Sequence, residues 1–327
     1  MDVSGKVNLG RISYVIYEHP DVSKFLEFSK DFGFEPAGRS DDDATLFFQG
    51  YGPDPFVYVA RQAPEGHGKR FCGAGFTART EEDFERACKL EGAQLRDMPQ
   101  RPGGGKVVSI PDVNGYEVQV VYGQTDRVVP KKGLSNVFDG RPNVNGAITK
   151  VRKGIFNRMG SGPAKIHKLG HFGYMTDNYT ETCAWYARNF NLKPTDIVHK
   201  RDEPSTELMS FFHLDLGQEY SDHHCLLVAA QQGSGKGTTV HHSSFEVEDI
   251  DTQMMGHQWL KEKGYRAMWG VGRHIMGSQV FDYWYDPTGF VIEHYADGDL
   301  VNEDTPTVRS TGTAAAIWGP PLPTTWH

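Results

Sequence analysis

The chain has 327 residues, of which 38% are hydrophobic and 12% aromatic, and its formal net charge is −8. That is enough apolar material for a sizeable core in two domains or one large one, while the acidic balance argues against nucleic acid or an anionic membrane surface as partner. No apolar run approaches the ~20 residues of a membrane span, the N-terminal stretch lacks a secretory layout, and the cysteines (Cys72, Cys88, Cys183, Cys225) form no CxxC pair, so a cytoplasmic protein with reduced thiols is expected.

In chain order, residues 7–17 read as a strand and residues 20–32 as an amphipathic helix with Val22, Phe25, Leu26 and Phe28 on its apolar side, stopped by Gly33. Short strands follow at 45–49 and 55–60. A loop rich in Gly, Pro and charge leads to a strand at 70–78, a second helix from about Thr80 that ends before Gly92, and strands at 106–110 and 116–122. Residues 124–164 are rich in Gly, Pro, Asn and basic residues with little periodicity, as in a connection between units.

The same order of elements then begins again. Asn8-Leu9-Gly10-Arg11 matches Lys168-Leu169-Gly170-His171, and both lead into a helix that ends shortly before a proline, Pro36 or Pro194. Gly73-Ala74-Gly75-Phe76 matches His242-Ser243-Ser244-Phe245, and the turn before Tyr116 matches the turn at Asp286-Pro287-Thr288-Gly289 before Glu293. Repeats at this spacing mean duplicated modules. Where the second copy has His171, His242 and Glu293, the first has Arg11, Gly73 and Gln119. A scaffold need would have appeared in both copies, so the asymmetry points to a ligand set in one.

Strand alternation supports this. Phe245 and Val247 share a face with His241, which places His241 on the packed side and His242, with Ser244, on the open side. Glu293 faces away from Phe290 and Ile292, and His171 away from Phe172. Two imidazoles and a carboxylate on one concave face are the facial set of a non-haem Fe(II) oxygenase, with three positions left open; a structural zinc site would be closed by four ligands.

Leu-Gly-His at 169–171, Val-His-His-x-x-Phe-Glu-Val at 240–247 and Gly-Arg-His...Tyr...Asp-Pro-x-Gly...Glu from 272 to 293 resemble the type I extradiol catechol dioxygenases of the vicinal-oxygen-chelate superfamily. The resemblance implies an α+β fold of two tandem domains, each a pair of βαβββ modules in a curved, partly open barrel-like mixed sheet with helices outside. The expected boundaries are 1–124 for a metal-free domain, 125–164 for the connection, 165–300 for the metal-binding domain and 301–327 for a tail. It further implies Fe(II), with Mn(II) as the alternative, held by His171, His242 and Glu293. His224 then matches the family's acid–base residue, and His274 and Tyr283 its substrate-contacting pair. The implied reaction opens a catecholic substrate with O2 beside the vicinal diol, giving a muconic semialdehyde-type product that contains both oxygen atoms. A homo-oligomer, dimer or higher, is also expected.

Other readings compete. A glyoxalase-type isomerase would draw four ligands from both modules, and a 2-oxo-acid dioxygenase would lack the His274–Tyr283–Glu293 pattern. A non-catalytic binding protein would need no metal. The Gly-Ser-Gly-Lys-Gly run at 233–237 lacks the spacing of a phosphate loop and reads as a hairpin loop. The tail, ending in an apolar, proline-rich segment, is expected to cover the cleft or to form a dimer contact.

Overall fold

The structure is a computed structural model that describes residues 5–96, 100–129, 145–154, 156, 160–231, 237–312 and 315–324. Its first lobe runs β1 (Leu9–His19), α1 (Val22–Phe32), β2 (Glu35–Arg39), β3 (Thr45–Gln49), β4 (Tyr58–Gln62), β5 (Arg70–Ala78), α2 (Glu81–Ala87), β6 (Gln94–Arg96), β7 (Lys106–Pro111) and β8 (Glu117–Tyr122). These strands form one eight-stranded sheet in the order β2-β3-β4-β1-β5-β8-β7-β6. The start of α1 is set by Asp21, whose carboxylate accepts from the amides of Ser23 and Lys24, and its end by Gly33 in the left-handed region at φ 102°. A side chain at Gly33 is excluded twice over, since its Cβ would lie 1.7 Å from the carbonyl oxygen of Ala164.

The second lobe runs β9 (Leu169–Thr176), α3 (Tyr179–Asn189), β10 (Leu192–His199), β11 (Glu207–Leu214), β12 (Ser221–Asp222), β13 (Leu226–Ala230), β14 (Thr239–Glu246), α4 (Ile250–Glu262), β15 (Ala267–His274), β16 (Val280–Tyr285), β17 (Val291–Ala296) and β18 (Leu300–Val301). A tail adds β19 (Val308–Ser310) and β20 (Ala316–Trp318). Its large sheet is ordered β19-β10-β11-β13-β9-β14-β17-β16-β15-β20, while β12 and β18 pair separately. Removing the tail strands leaves β10-β11-β13-β9-β14-β17-β16-β15, which repeats the first lobe strand for strand. The repeat reaches the irregularities. The β2–β3 ladder slips between Pro36 and Gly38, and the β10–β11 ladder slips between Pro194 and Asp196. In both, the proline lacks the amide that a continuous ladder needs.

The two tail strands sit at opposite edges of one sheet, yet only residues 311–315 separate them. Six Cα steps span at most about 21 Å. The sheet must therefore curl until its outer strands β10 and β15 face each other, and the tail straps them together across the concavity.

One apolar cluster runs through both lobes, from Val15, Phe25 and Phe32 to Phe172, Phe245, Trp284 and Ile292. The lobes are also joined by polar contacts: the Tyr17 hydroxyl meets Ser243 Oγ at 2.5 Å, and His294 Nε2 donates to the carbonyl of Phe32 at 2.8 Å. The outer faces of the helices and the rims of the concavities are left to solvent.

Candidate metal centre

The centre of the second sheet is built on one ladder position. Ser244 on β14 pairs with His171 on β9 and with Glu293 on β17. Directly paired residues project to the same face, and His242, two positions along β14, joins them. Ser244 is small, so the middle of the row stays open. The resulting donor atoms are tightly grouped. His171 Nε2 and His242 Nε2 are 2.9 Å apart, and each lies 3.3 Å from Glu293 Oε2. Ligands bound at about 2.1 Å and at right angles around one ion stand about 3 Å apart.

The surroundings of the trio also fit a cation. Glu293 is wholly buried, and neither of its oxygens meets a hydrogen-bond donor in bonding geometry. An ionised carboxylate in that setting is strongly disfavoured without a positive partner. Burial works against ionisation of Glu293, but the facing imidazoles of His171 and His242 outweigh it and hold the carboxyl below its ordinary range. Burial lowers His171 to about 4, which keeps its ring neutral at pH 7 and its lone pair available. Two imidazole nitrogens and one carboxylate oxygen thus converge on one point.

His241 departs from the strand alternation expected of it. The β14–β9 ladder pairs Val240 with Tyr174 and His242 with Gly173, so His241 is the extra residue of a bulge. The bulge turns His241 toward the concavity, where it lines the same cavity as His242. Its Nδ1 is 2.6 Å from His242 Nδ1. With His242 Nε2 directed at the trio, its Nδ1–H is the donor and His241 the acceptor, which fixes the tautomer a ligand needs. Sequence reading missed this residue because bulges leave no mark on an alternating pattern.

The cavity beside the trio has a volume of about 400 Å³ and takes in His224, His274 and Tyr283 as well. The ring of His224 lies 4.0 Å from that of His171, centroid to centroid. Behind it stands a relay that the sequence did not reveal. Asp196 Oδ2 accepts from His223 Nε2 at 2.7 Å, and His223 Nδ1 lies 3.1 Å from His224 Nδ1. The two Nδ1 atoms face each other, which leaves Nε2 of His224 to the cavity. Burial holds His224 well below the ordinary imidazole range. On the far wall, His274 donates from Nδ1 to the carbonyl of Ala315 in the tail at 3.0 Å, which leaves Nε2 to accept the Tyr283 hydroxyl at 2.9 Å. Glu293 Oε1 is 4.0 Å from that same Nε2.

The first lobe shows what the scaffold does without this set. Its ladder position equivalent to Ser244 is Gly75, which pairs with Tyr14 and with Gln119. The counterpart of His171 is therefore Tyr14, three residues on from Arg11: Leu169 pairs with Phe245, whereas Ile12, not Leu9, pairs with the matching Phe76. Tyr14 donates to Gln119 Oε1 at 2.6 Å, and its ring lies where a Cβ on Gly75 would be. Gly73, opposite His242 in the repeat, has φ 145°, and the carbonyl oxygen of Glu117 lies 1.9 Å from where its Cβ would be. The bulge recurs too: Ile16 pairs with Gly73 and Tyr17 with Phe71, so Cys72 stands in the place of His241.

Residues 168–294 match the model of the Glyoxalase/Bleomycin resistance protein/Dioxygenase superfamily. Metapyrocatechase 2 of Cupriavidus necator is 28% identical to the chain over 267 residues, which is 79% of this chain and 75% of that protein. Two solved structures share the two-lobed fold along nearly the whole length. The Mn(II)-bound glyoxalase of Novosphingobium aromaticivorans superposes with a TM-score of 0.75 at 20% identity, covering 98% of this chain and 94% of that one. The homoprotocatechuate 2,3-dioxygenase of Arthrobacter globiformis superposes with a TM-score of 0.75 at 16% identity, covering 98% and 91%. Among the described residues, no helix is long and apolar enough to cross a membrane.

Proposed function

We propose that the chain is an extradiol ring-cleaving dioxygenase that opens a catecholic substrate with O2, using Fe(II) held by His171, His242 and Glu293. The observation that carries this reading is the convergence of three donor atoms at 2.9 to 3.3 Å on the wall of a hollow, one of them from a wholly buried carboxylate. Similarity to a metapyrocatechase supports the reaction class. Fe(II) is preferred over Mn(II) here on the chemistry of the ligand set, which is the facial arrangement of non-haem iron oxygenases.

Bound in this trio, Fe(II) supplies Lewis acidity toward the diol oxygens and the electron transfer that O2 chemistry requires. The protein's own groups do the rest. His224, whose Nδ1 faces His223, takes a diol proton at Nε2 and later returns it. The imidazole–carboxylate pair behind it, His223 and Asp196, fixes its tautomer and ring orientation. Tyr283 and His274 form a hydrogen-bonded pair beside Glu293 and hold a substrate oxygen in line. The apolar wall excludes water from the reacting atoms.

A homo-oligomer fits the exposed apolar surface of Ile317 and Trp318 in the tail, and light scattering tests it. The activity itself is tested by loading the protein with Fe(II) without oxygen, then measuring oxygen uptake against a panel of catechols. One O2 consumed per catechol, with a yellow ring-opened product, is the expected result. A fully iron-loaded protein that consumes no oxygen with any catechol would contradict the proposal.

A further inference from the structure

The cavity wall away from the histidines decides what a diol substrate can carry, and its chemistry is one-sided. It is formed by Val198, Met209, Phe211, Leu227, Met276 and Leu322. Among the described residues that line the cavity there is no lysine or arginine; the polar groups are histidines, Tyr283, Gln279 and the Trp269 indole, which donates to the carbonyl of Pro320 at 3.0 Å. Three cations of the second lobe face carboxylates: Arg309 meets Glu207 at 2.5 Å, Arg273 meets Asp297 at 2.8 Å, and Lys200 meets Glu203 at 4.0 Å. Among the imidazoles, Nδ1 of His224 faces His223, Nδ1 of His241 faces His242, and His274 meets both Tyr283 and Ala315.

The tail completes this wall. A Cβ at Gly312 would lie 2.7 Å from Val198 Cγ1, so the tail backbone rests directly on Val198, and Leu322 adds a further apolar surface. Val198 is in turn paired with Met209 across β10 and β11. Met209 and Met276 contribute flexible, polarisable thioethers, which adapt to substituents of differing shape.

A charge count points the same way. A divalent ion, Glu293 and a singly ionised diol sum to zero. A carboxylate on the ring would enter as an additional buried charge with no cation to meet it, a heavily penalised arrangement.

From these observations we propose that the substrate is a catechol whose ring substituent is uncharged and apolar, an alkyl or aryl group, and that carboxylated catechols are excluded. The inference rests on the ring-cleavage reading above and narrows its substrate class.

The test compares two probes of similar size, 4-propylcatechol and 3,4-dihydroxyphenylacetate, on the Fe(II)-loaded full chain. Both the dissociation constant without oxygen and kcat/KM with oxygen are measured. The alkyl compound should be favoured by about a hundredfold or more in each. A Met209→Arg substitution should shrink that ratio by supplying the missing cation. Equal or tighter binding of the carboxylated probe by the unsubstituted protein would overturn the proposal. Preferential anaerobic binding of 4-propylcatechol with no oxygen uptake would uphold the apolar preference and refute ring cleavage. Failure of both probes to bind would refute both.

Discussion

The two lobes share one scaffold, down to the bulge at Cys72 and at His241, yet their concave faces have opposite contents. In the first lobe the face is packed: Tyr14, Ile16, Phe47, Phe56, Cys72 and Val107 form a satellite core. The guanidinium of Arg101 is buried over it, 4.6 Å from the Tyr14 ring and 4.8 Å from that of Phe56. In the second lobe the face is hollow, with a cavity of about 400 Å³ walled by imidazoles on one side and aliphatic groups on the other. What separates the lobes is three side-chain choices on an identical ladder. A tyrosine long enough to reach across occupies the place of His171, a glycine that cannot carry a Cβ stands for His242, and a neutral amide stands for Glu293. A duplicated fold can thus retire one of its two sites by filling it, and the filled copy becomes core for the working one.

This contrast can be broken most severely at the trio. Glu293→Gln or His242→Ala should abolish stoichiometric metal retention through gel filtration, read by elemental analysis, while Gln119→Ala in the first lobe should leave the metal content unchanged. The packed face should respond to truncation by losing stability. Tyr14→Ala opens a cavity in a filled core and should cost about 3–5 kcal/mol in urea unfolding. Phe211→Ala, on the half-exposed wall of the hollow, should cost clearly less. Equal costs would show that the two faces are not packed differently.

Acid is a third probe. His213 is buried, donates from Nδ1 to Thr195 Oγ1 at 2.6 Å, and has no partner at Nε2. Burial lowers its pKa from 6.5 to about 4. Its folded pKa lies below the unfolded one, so the unfolded chain takes up the proton first as pH falls. The stability held above pH 6.5 should therefore be lost progressively toward pH 4, by on the order of 3 kcal/mol from this group. His213→Gln should flatten that part of the stability profile; an unchanged profile would show that another group is responsible.

The smallest expected effect concerns His241. His241→Ala should leave the fold intact but weaken metal retention about ten- to a hundredfold in a chelator competition, because His242 loses the acceptor that fixes its tautomer. Undiminished affinity would mean that the contact between the two rings does nothing for the ligand.

Much of this was legible in the sequence. The duplication, the strands at 45–49 and 70–78, the helix stop at Gly33 and the grouping of His171, His242 and Glu293 all follow from local chemistry and repeated order. What stayed hidden depended on register. The bulge that swings His241 inward, the register of β1 that puts Tyr14 rather than Arg11 in the place of His171, and the short strands β2 and β6 are set by ladder pairing between distant segments. The relay from Asp196 through His223 to His224 was equally invisible, since it joins β10 to the stretch before β13 across the sheet. The expected Gly-Ser loop lies, at residues 232–236, outside the described residues.

The account is tested most directly by anomalous diffraction from crystals soaked in Mn(II). It predicts one strong peak per chain, within bonding distance of His171, His242 and Glu293, and none near Tyr14 and Gln119. A peak in the first lobe, or none in the second at full soaking, would contradict it.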